Sequence, residues 1–207
     1  MTTLRAESQL AEAASVLSAR DPDLAATVKR FGPPPMWARR PGFATLLQII
    51  LEQQVSLASA RAAYNRLSAA IPAVTPENFL TLDDETLRTV GFSRQKAGYG
   101  RFLASVLVDG SFDLDAVASL SDDHARDALV GLRGVGPWTA DTYLLMALGR
   151  PDVWPAGDIA LQAAVRAVKG MQTRPSYDEM VEVAEEWRPW RSVAARILWF
   201  HYLGGRP

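Results

Sequence analysis

Cysteine is absent from the 207 residues, which removes disulfides, thiolate nucleophiles, cysteine-ligated zinc and iron–sulfur clusters together. Histidine is scarce: His124 and His201 alone cannot build a histidine-based metal site without several carboxylates, so no metal enzyme is expected. Lysine occurs only at Lys29, Lys96 and Lys169. No apolar run approaches the ~20 residues that span a bilayer. The opening "MTTLRAESQLAEAASVL" is a broken amphipathic pattern containing acids, unlike a secretion leader. Alternating strand patterns, internal repeats and low-complexity tracts are missing as well.

What remains is apolar and helical. Hydrophobic residues make up 48% and charged residues 22% of the chain, the balance of a soluble globular protein. Net charge is −1, but the charges are not evenly spread. Arg39 and Arg40, then Arg94, Lys96 and Arg101, then Arg133 form basic clusters, whereas acids concentrate between Asp178 and Glu186. A local basic surface can track a phosphate backbone on a neutral protein. Apolar residues recur at helical spacing in "ESQLAEAASVLSA", "DPDLAATVKRFG", "FATLLQIILEQQ" and the segments that follow. Most open on Ser, Thr or Asp and several close on Gly, which is helix-cap chemistry. "GPPPMWARRPG" (32–42) cannot be helical, because its prolines remove donors and bias their neighbours to extended forms. The spacing predicts an all-α protein of many short helices.

Within that pattern, "LRGVGPWTAD" (132–141) sets Gly134 and Gly136 two apart between two helical stretches. A hairpin this short needs backbone angles that glycine adopts cheaply, and the missing side chains let a ligand approach the backbone. Amides opening the second helix, near Gly136 and Thr139, would then form an anion site backed by the helix dipole. A plain helix–helix turn is the simpler reading of a lone Gly-x-Gly. Further on, "VWPAGDIALQAAVRAV" breaks at Pro155 and Gly157 and restarts at Asp158. Asp in that place is usually an N-cap, and a capping carboxylate also stays ionised.

Taken together, "ILEQQVS" (50–56), "LRGVGPWTADTYLL" (132–145), "PAGDIALQ" (155–162) and "EEWRPWRSVAARILWFHYL" (185–203) resemble the helix-hairpin-helix (HhH-GPD) DNA glycosylases, in particular the alkylated-base, 3-methyladenine type II branch. The motifs stand in family order between about residues 40 and 203. The resemblance implies a two-lobed helical fold with an active-site cleft between the lobes, in a compact form lacking the N-terminal β domain of the bacterial type enzyme. Residues 44–150 would form one lobe with the hairpin at 132–138, and residues 1–43 plus 151–207 the other. Asp158 falls at the catalytic aspartate. Gly134, Gly136, Thr139 and Arg133 would meet a DNA phosphate, with an alkali ion on the backbone near Arg133 and Val135. Gln53 and Gln54 fall in the loop that fills the gap left by a flipped nucleotide. Trp138, Trp199, Tyr143 and Thr142 would line the base pocket, with Thr142 standing where the type enzyme has a tyrosine. Trp187 and Trp190 are assigned to the core.

The implied activity is hydrolysis of the N-glycosidic bond of alkylated bases such as 3-methyladenine and 7-methylguanine in double-stranded DNA. The protein would be a cytoplasmic, nucleoid-associated monomer needing no cofactor and no iron–sulfur cluster. Lyase-type relatives carry a lysine where this chain has Trp138, and an indole cannot form a Schiff base, so a monofunctional enzyme is expected. Three alternatives stay open: a non-catalytic DNA-binding hairpin module, a glycosylase of the same fold for oxidised or mismatched bases, and a structural helical protein.

Overall fold

The computed structural model describes residues 3–205. Among these the chain is helical without a strand. Its α-helices are α1 (Glu7–Arg20), α2 (Pro22–Phe31), α3 (Phe43–Glu52), α4 (Leu57–Ala70), α5 (Pro76–Leu80), α6 (Asp84–Val90), α7 (Arg94–Val108), α8 (Asp122–Val130), α9 (Pro137–Met146), α10 (Ile159–Val168), α11 (Tyr177–Ala184) and α12 (Arg191–Tyr202). The cap chemistry read from sequence is in place. Ser56, Thr75, Asp83, Ser93, Ser121, Asp158 and Ser176 each accept a first-turn amide with the side chain. "DLDAVASL", expected as helix, makes only a 3-10 turn at Ala116–Ser119. Residues 33–40 carry no helix.

The chain divides into two compact units. One is Arg39–Tyr143; the other is the chain up to Ala38 together with the chain from Leu144 onward. The boundaries differ from the expected 44 and 150. Arg39 belongs with the first unit through its paired hydrogen bonds to Glu52 (2.9 and 3.2 Å). Leu145 already belongs to the core of the second, so the boundary falls inside α9.

In the unit 39–143, α3 is apolar almost all round, with Phe43, Thr45, Leu46, Leu47, Ile49, Ile50 and Leu51 buried. A helix hydrophobic on every face belongs at the centre of a core, and α4 and α7 pack on it, with α5 and α6 against α7. The aromatic ladder Phe43–Phe79–Phe92, with ring centroids 5.8 and 5.6 Å apart, fills the space between them.

In the other unit α12 is the central helix. All residues from Ser192 to Phe200 are buried, against α10, α2 and α1. Trp187 lies in this core at 1% exposure, and Trp190 packs on it partly buried. Arg196 is buried in the middle of the helix, donating to the carbonyls of Met36 (3.0 Å), Ser192 (3.2 Å) and Leu145 (2.9 Å). Burial pulls its pKa down to about 10, which still leaves it cationic near neutrality. A second polar hub sits at the start of α2. Asp21, 5% exposed, accepts the amides of Asp23 and Leu24 on one oxygen. Its other oxygen accepts Lys169 Nζ (2.7 Å) and Trp187 Nε1 (2.7 Å). One carboxylate thus caps a helix and ties it to the end of α10 and to the Glu185–Trp187 turn.

Burial alone would raise the pKa of Asp21, but hydrogen bonds from Lys169, Trp187 and the Leu24 amide outweigh it and hold the carboxyl below its ordinary 3.8. A lowered folded value means that the stabilisation is complete above pH 3.8 and is lost as pH falls through the folded pKa. Asp21→Asn should therefore cost about 2–3 kcal/mol at neutral pH. The deficit should shrink in strong acid. Urea unfolding of both proteins at neutral pH and at about pH 3 checks both statements.

Candidate functional site

The hairpin lies within the unit 39–143. α8 ends at Val130, the chain turns through residues 131–136, and α9 begins at Pro137. Pro137 and Trp138, expected in the hairpin, are already helical: proline has no N–H to lose and suits the first helical position. The turn is tied by the Leu132 amide to Leu129 O and the Val135 amide to Leu132 O (both 3.0 Å). The two glycines do different things. Gly134 has φ +90°, and a Cβ there would sit 2.3 Å from the Tyr99 ring, so both backbone and packing demand glycine. Gly136 has nothing within 4 Å of a would-be Cβ. Its bareness serves no internal contact and leaves the backbone open from outside. Arg133 is exposed. With Arg94, Gln95, Gly98, Tyr99 and Gly134 it lines a surface hollow beside the hairpin.

The helices flanking the hairpin are clamped by Arg126 of α8, whose guanidinium donates to both carboxylate oxygens of Asp141 of α9 (2.7 and 3.2 Å). A second clamp comes from the end of α3. Gln53 was expected at a DNA-facing loop tip, but the structure turns it inward. Its amide Nε2 donates to Gly134 O (2.9 Å) and Thr139 Oγ1 (2.9 Å). The next residue, Gln54, is exposed and has φ +57°, a left-handed conformation uncommon outside glycine. Of the two glutamines, only Gln54 presents its side chain outward.

Two more expectations change. Tyr143 is 0% exposed and its hydroxyl accepts the Gly42 amide (2.9 Å). Burial, opposed by that hydrogen bond, pushes its pKa to about 12. It has no face to offer a base, so it belongs to the core rather than to a pocket. Thr142 is also buried, its hydroxyl without a hydrogen-bond partner among the described residues. Thr139 is buried with its hydroxyl held by Gln53, so its side chain is not available to a ligand. Trp138 is half-buried in the first turn of α9.

Asp158 lies in the other unit. It is half-buried and caps α10: Oδ1 accepts the Leu161 amide (2.7 Å) and the indole N–H of Trp199 (3.1 Å). Trp199 is 9% exposed. Its indole N–H holds the carboxylate, and little of the ring is left exposed. Among the described residues, no cluster of His, Asp and Glu is arranged to hold a metal ion. Sequence reasoning missed Tyr99 and the Arg126–Asp141 clamp, and placed Lys96 in a basic surface cluster whereas the structure turns its ammonium to the carbonyls of Leu51 and Gln53. The one available signal was Gly134 itself, whose missing side chain implies something packed against it.

Residues 47–189 match the HhH-GPD superfamily of base excision DNA repair proteins. The chain belongs to this family. A Bacillus subtilis relative, YfjP, is 34% identical over 124 residues, 60% of this chain and 43% of that protein. DNA-3-methyladenine glycosylase 1 of Schizosaccharomyces pombe is 28% identical over 158 residues, 74% of this chain and 69% of that protein. Among solved structures, the Schizosaccharomyces pombe 3-methyladenine DNA glycosylase Mag1 in complex with abasic DNA superposes with a TM-score of 0.85 at 26% identity, covering 91% of this chain and 95% of that one. The chain thus spans less than half the length of YfjP and about two thirds of the yeast glycosylase. No helix among the described residues is long and apolar enough to cross a membrane.

The two glycines should differ in what a side chain costs. Gly134→Ala should lose about 2–4 kcal/mol through strain and overpacking. Gly136→Ala should stay within about 1 kcal/mol of the parent. Urea unfolding of each variant checks the pair.

Proposed function

We propose that the protein is a monofunctional DNA glycosylase, acting as a monomer on double-stranded DNA, that releases alkylated bases of the 3-methyladenine and 7-methylguanine type and leaves an abasic site. The observation that carries this reading is Asp158, a half-exposed carboxylate at a helix N-terminus with one oxygen fixed by an amide and an indole. A mere DNA-binding module would need Asp158 only as the cap of α10, and its pairing with the Trp199 indole would go unused.

The chemistry follows from charge. As the C1′–N bond breaks, its electron pair leaves with the base and positive charge develops on the sugar. A fixed carboxylate beside that sugar favours this transition state over the ground state, in which the sugar carries no charge. At ~4 Å and an effective dielectric of ~20 the attraction is about 4 kcal/mol, roughly a thousandfold in rate. Water then adds at C1′, with the carboxylate available to take its proton. An N-methylated purine is cationic and its glycosidic bond already labile. Stacking on the exposed part of Trp138 would add about 0.5–2 kcal/mol without base-specific hydrogen bonds.

The hairpin grips the strand. The Gly136 backbone and the first-turn amide of Thr139 face a phosphate, with Arg133 beside them and the α9 dipole behind. An alkali ion there would take the carbonyls of Arg133 and Val135, which accept no hydrogen bond among the described residues. Those of Leu132 and Gly134 are already engaged. Gln54 is placed to enter the gap left by the extruded nucleotide, whose unstacking costs a few kcal/mol. No lysine lies in the hairpin, so no Schiff base and no strand cleavage are expected.

Asp158→Asn keeps a capping oxygen for α10 and should fold normally. It should bind abasic duplex like the parent while releasing 7-methylguanine roughly a thousandfold more slowly. Single-turnover base release measures this, and parental turnover by the variant would overturn the assignment.

A further inference from the structure

Lys96 stands in the first turn of α7, where a helix dipole disfavours a cation. It has no carboxylate partner among the described residues, and burial pulls its pKa below the ordinary lysine value. Its ammonium instead donates to two carbonyls at the end of α3, Leu51 O (2.6 Å) and Gln53 O (2.7 Å). The last carbonyls of a helix have no intrahelical donor, and a cation there makes short, charge-assisted hydrogen bonds with the α3 dipole in its favour. The residue so held is Gln53, whose side chain reaches the hairpin at Gly134 O and Thr139 Oγ1 (both 2.9 Å). It also immediately precedes Gln54, exposed at φ +57°. One helical turn after Lys96, Tyr99 packs under Gly134, so closely that no Cβ would fit. α7 therefore touches the hairpin directly through Tyr99 and indirectly through Lys96 and Gln53.

We propose that Lys96 is a positioning residue: by tethering the Gln53 carbonyl it keeps the Gln54 turn in register with the phosphate-binding hairpin, so that DNA gripped at the hairpin meets Gln54 at the damaged nucleotide. This rests on the glycosylase reading above. Without the tether the turn holds Gln54 in an uncommon backbone conformation with two carbonyls short of a donor, and it relaxes. The hairpin keeps Tyr99 and the Arg126–Asp141 clamp, so its grip on phosphate survives. The consequence is a split. Loss of the ammonium should spare duplex binding and impair extrusion of the base, because misplacement by about 1 Å far from the reacting atoms is enough to slow a reaction about a hundredfold.

The test compares Lys96→Met, Lys96→Arg and Gln53→Ala with the parent. Three readouts are needed: affinity and salt dependence for undamaged duplex, single-turnover release of 7-methylguanine at saturating enzyme, and fluorescence of 2-aminopurine placed beside the lesion, which reports unstacking. Because the Lys96 ammonium is turned to the Leu51 and Gln53 carbonyls and not to the basic surface expected from sequence, Lys96→Met should bind undamaged duplex within about twofold of the parent. Its unstacking signal and release rate should fall at least tenfold, Lys96→Arg should recover most of that loss, and the Lys96→Met/Gln53→Ala double variant should be no worse than the worse single. Parental unstacking and release in Lys96→Met overturn the proposal. So does a parallel loss of duplex binding, or a deficit that tracks thermal stability alone and that Lys96→Arg does not relieve. If Lys96→Met does not fold, Lys96→Arg and Gln53→Ala decide by the same readouts. A parent that releases no base but unstacks 2-aminopurine beside an abasic-site analogue, in a manner sensitive to Lys96, refutes the glycosylase reading and leaves the tether standing.

Discussion

A carboxylate can stabilise a cationic transition state only if it is held still and keeps contact with solvent or substrate. Asp158 meets these conditions through one economical arrangement. Its Oδ1 accepts the Leu161 amide and the Trp199 indole N–H, and the two donors together fix its direction. The amide belongs to the first turn of α10, so the cap that starts the helix is also the group aimed by it. Trp199 is anchored in α12, the helix around which its unit is built. The stiffness of that core, with Arg196 bridging three backbone carbonyls and Asp21 joining α2 to Lys169 and Trp187, is thus passed to Asp158.

The unit 39–143 meets a different requirement, presenting backbone rather than side chain. A hairpin with two glycines would be floppy by itself. It is fixed by contacts made to its concealed side: Tyr99 under Gly134, Gln53 on Gly134 O and Thr139, and the Arg126–Asp141 pair across the two helices. Everything outward of those contacts, Gly136 and Arg133 above all, is left bare or basic. Preorganised amides of this kind bind anions without ordering entropy at the moment of contact.

Much of this was legible in the sequence because it follows from local chemistry. Caps at Ser56, Ser93, Ser121 and Asp158, the proline break before α3 and the Gly-x-Gly turn each depend on a few neighbouring residues. The roles that depend on distant partners were not legible. Gln53 and Gln54 are adjacent and chemically identical, and only the tertiary position of Gly134 and Thr139 decides that one faces in and the other out. Tyr143 reads as a pocket aromatic by motif, yet the Gly42 amide, a hundred residues away in sequence, takes its hydroxyl and the core takes its ring. Lys96 was legible only as one charge of a basic cluster, since a lysine in a first helical turn is ordinarily solvated.

The electrostatic role of Asp158 is tested most directly by affinity rather than turnover. Duplexes carrying a cationic pyrrolidine abasic-site mimic and its uncharged tetrahydrofuran counterpart differ in little but the charge at the sugar. The parent protein should prefer the cationic duplex by at least about tenfold, and Asp158→Asn should abolish the preference while leaving the uncharged affinity intact. Equal affinity of the parent for the two duplexes would contradict the account.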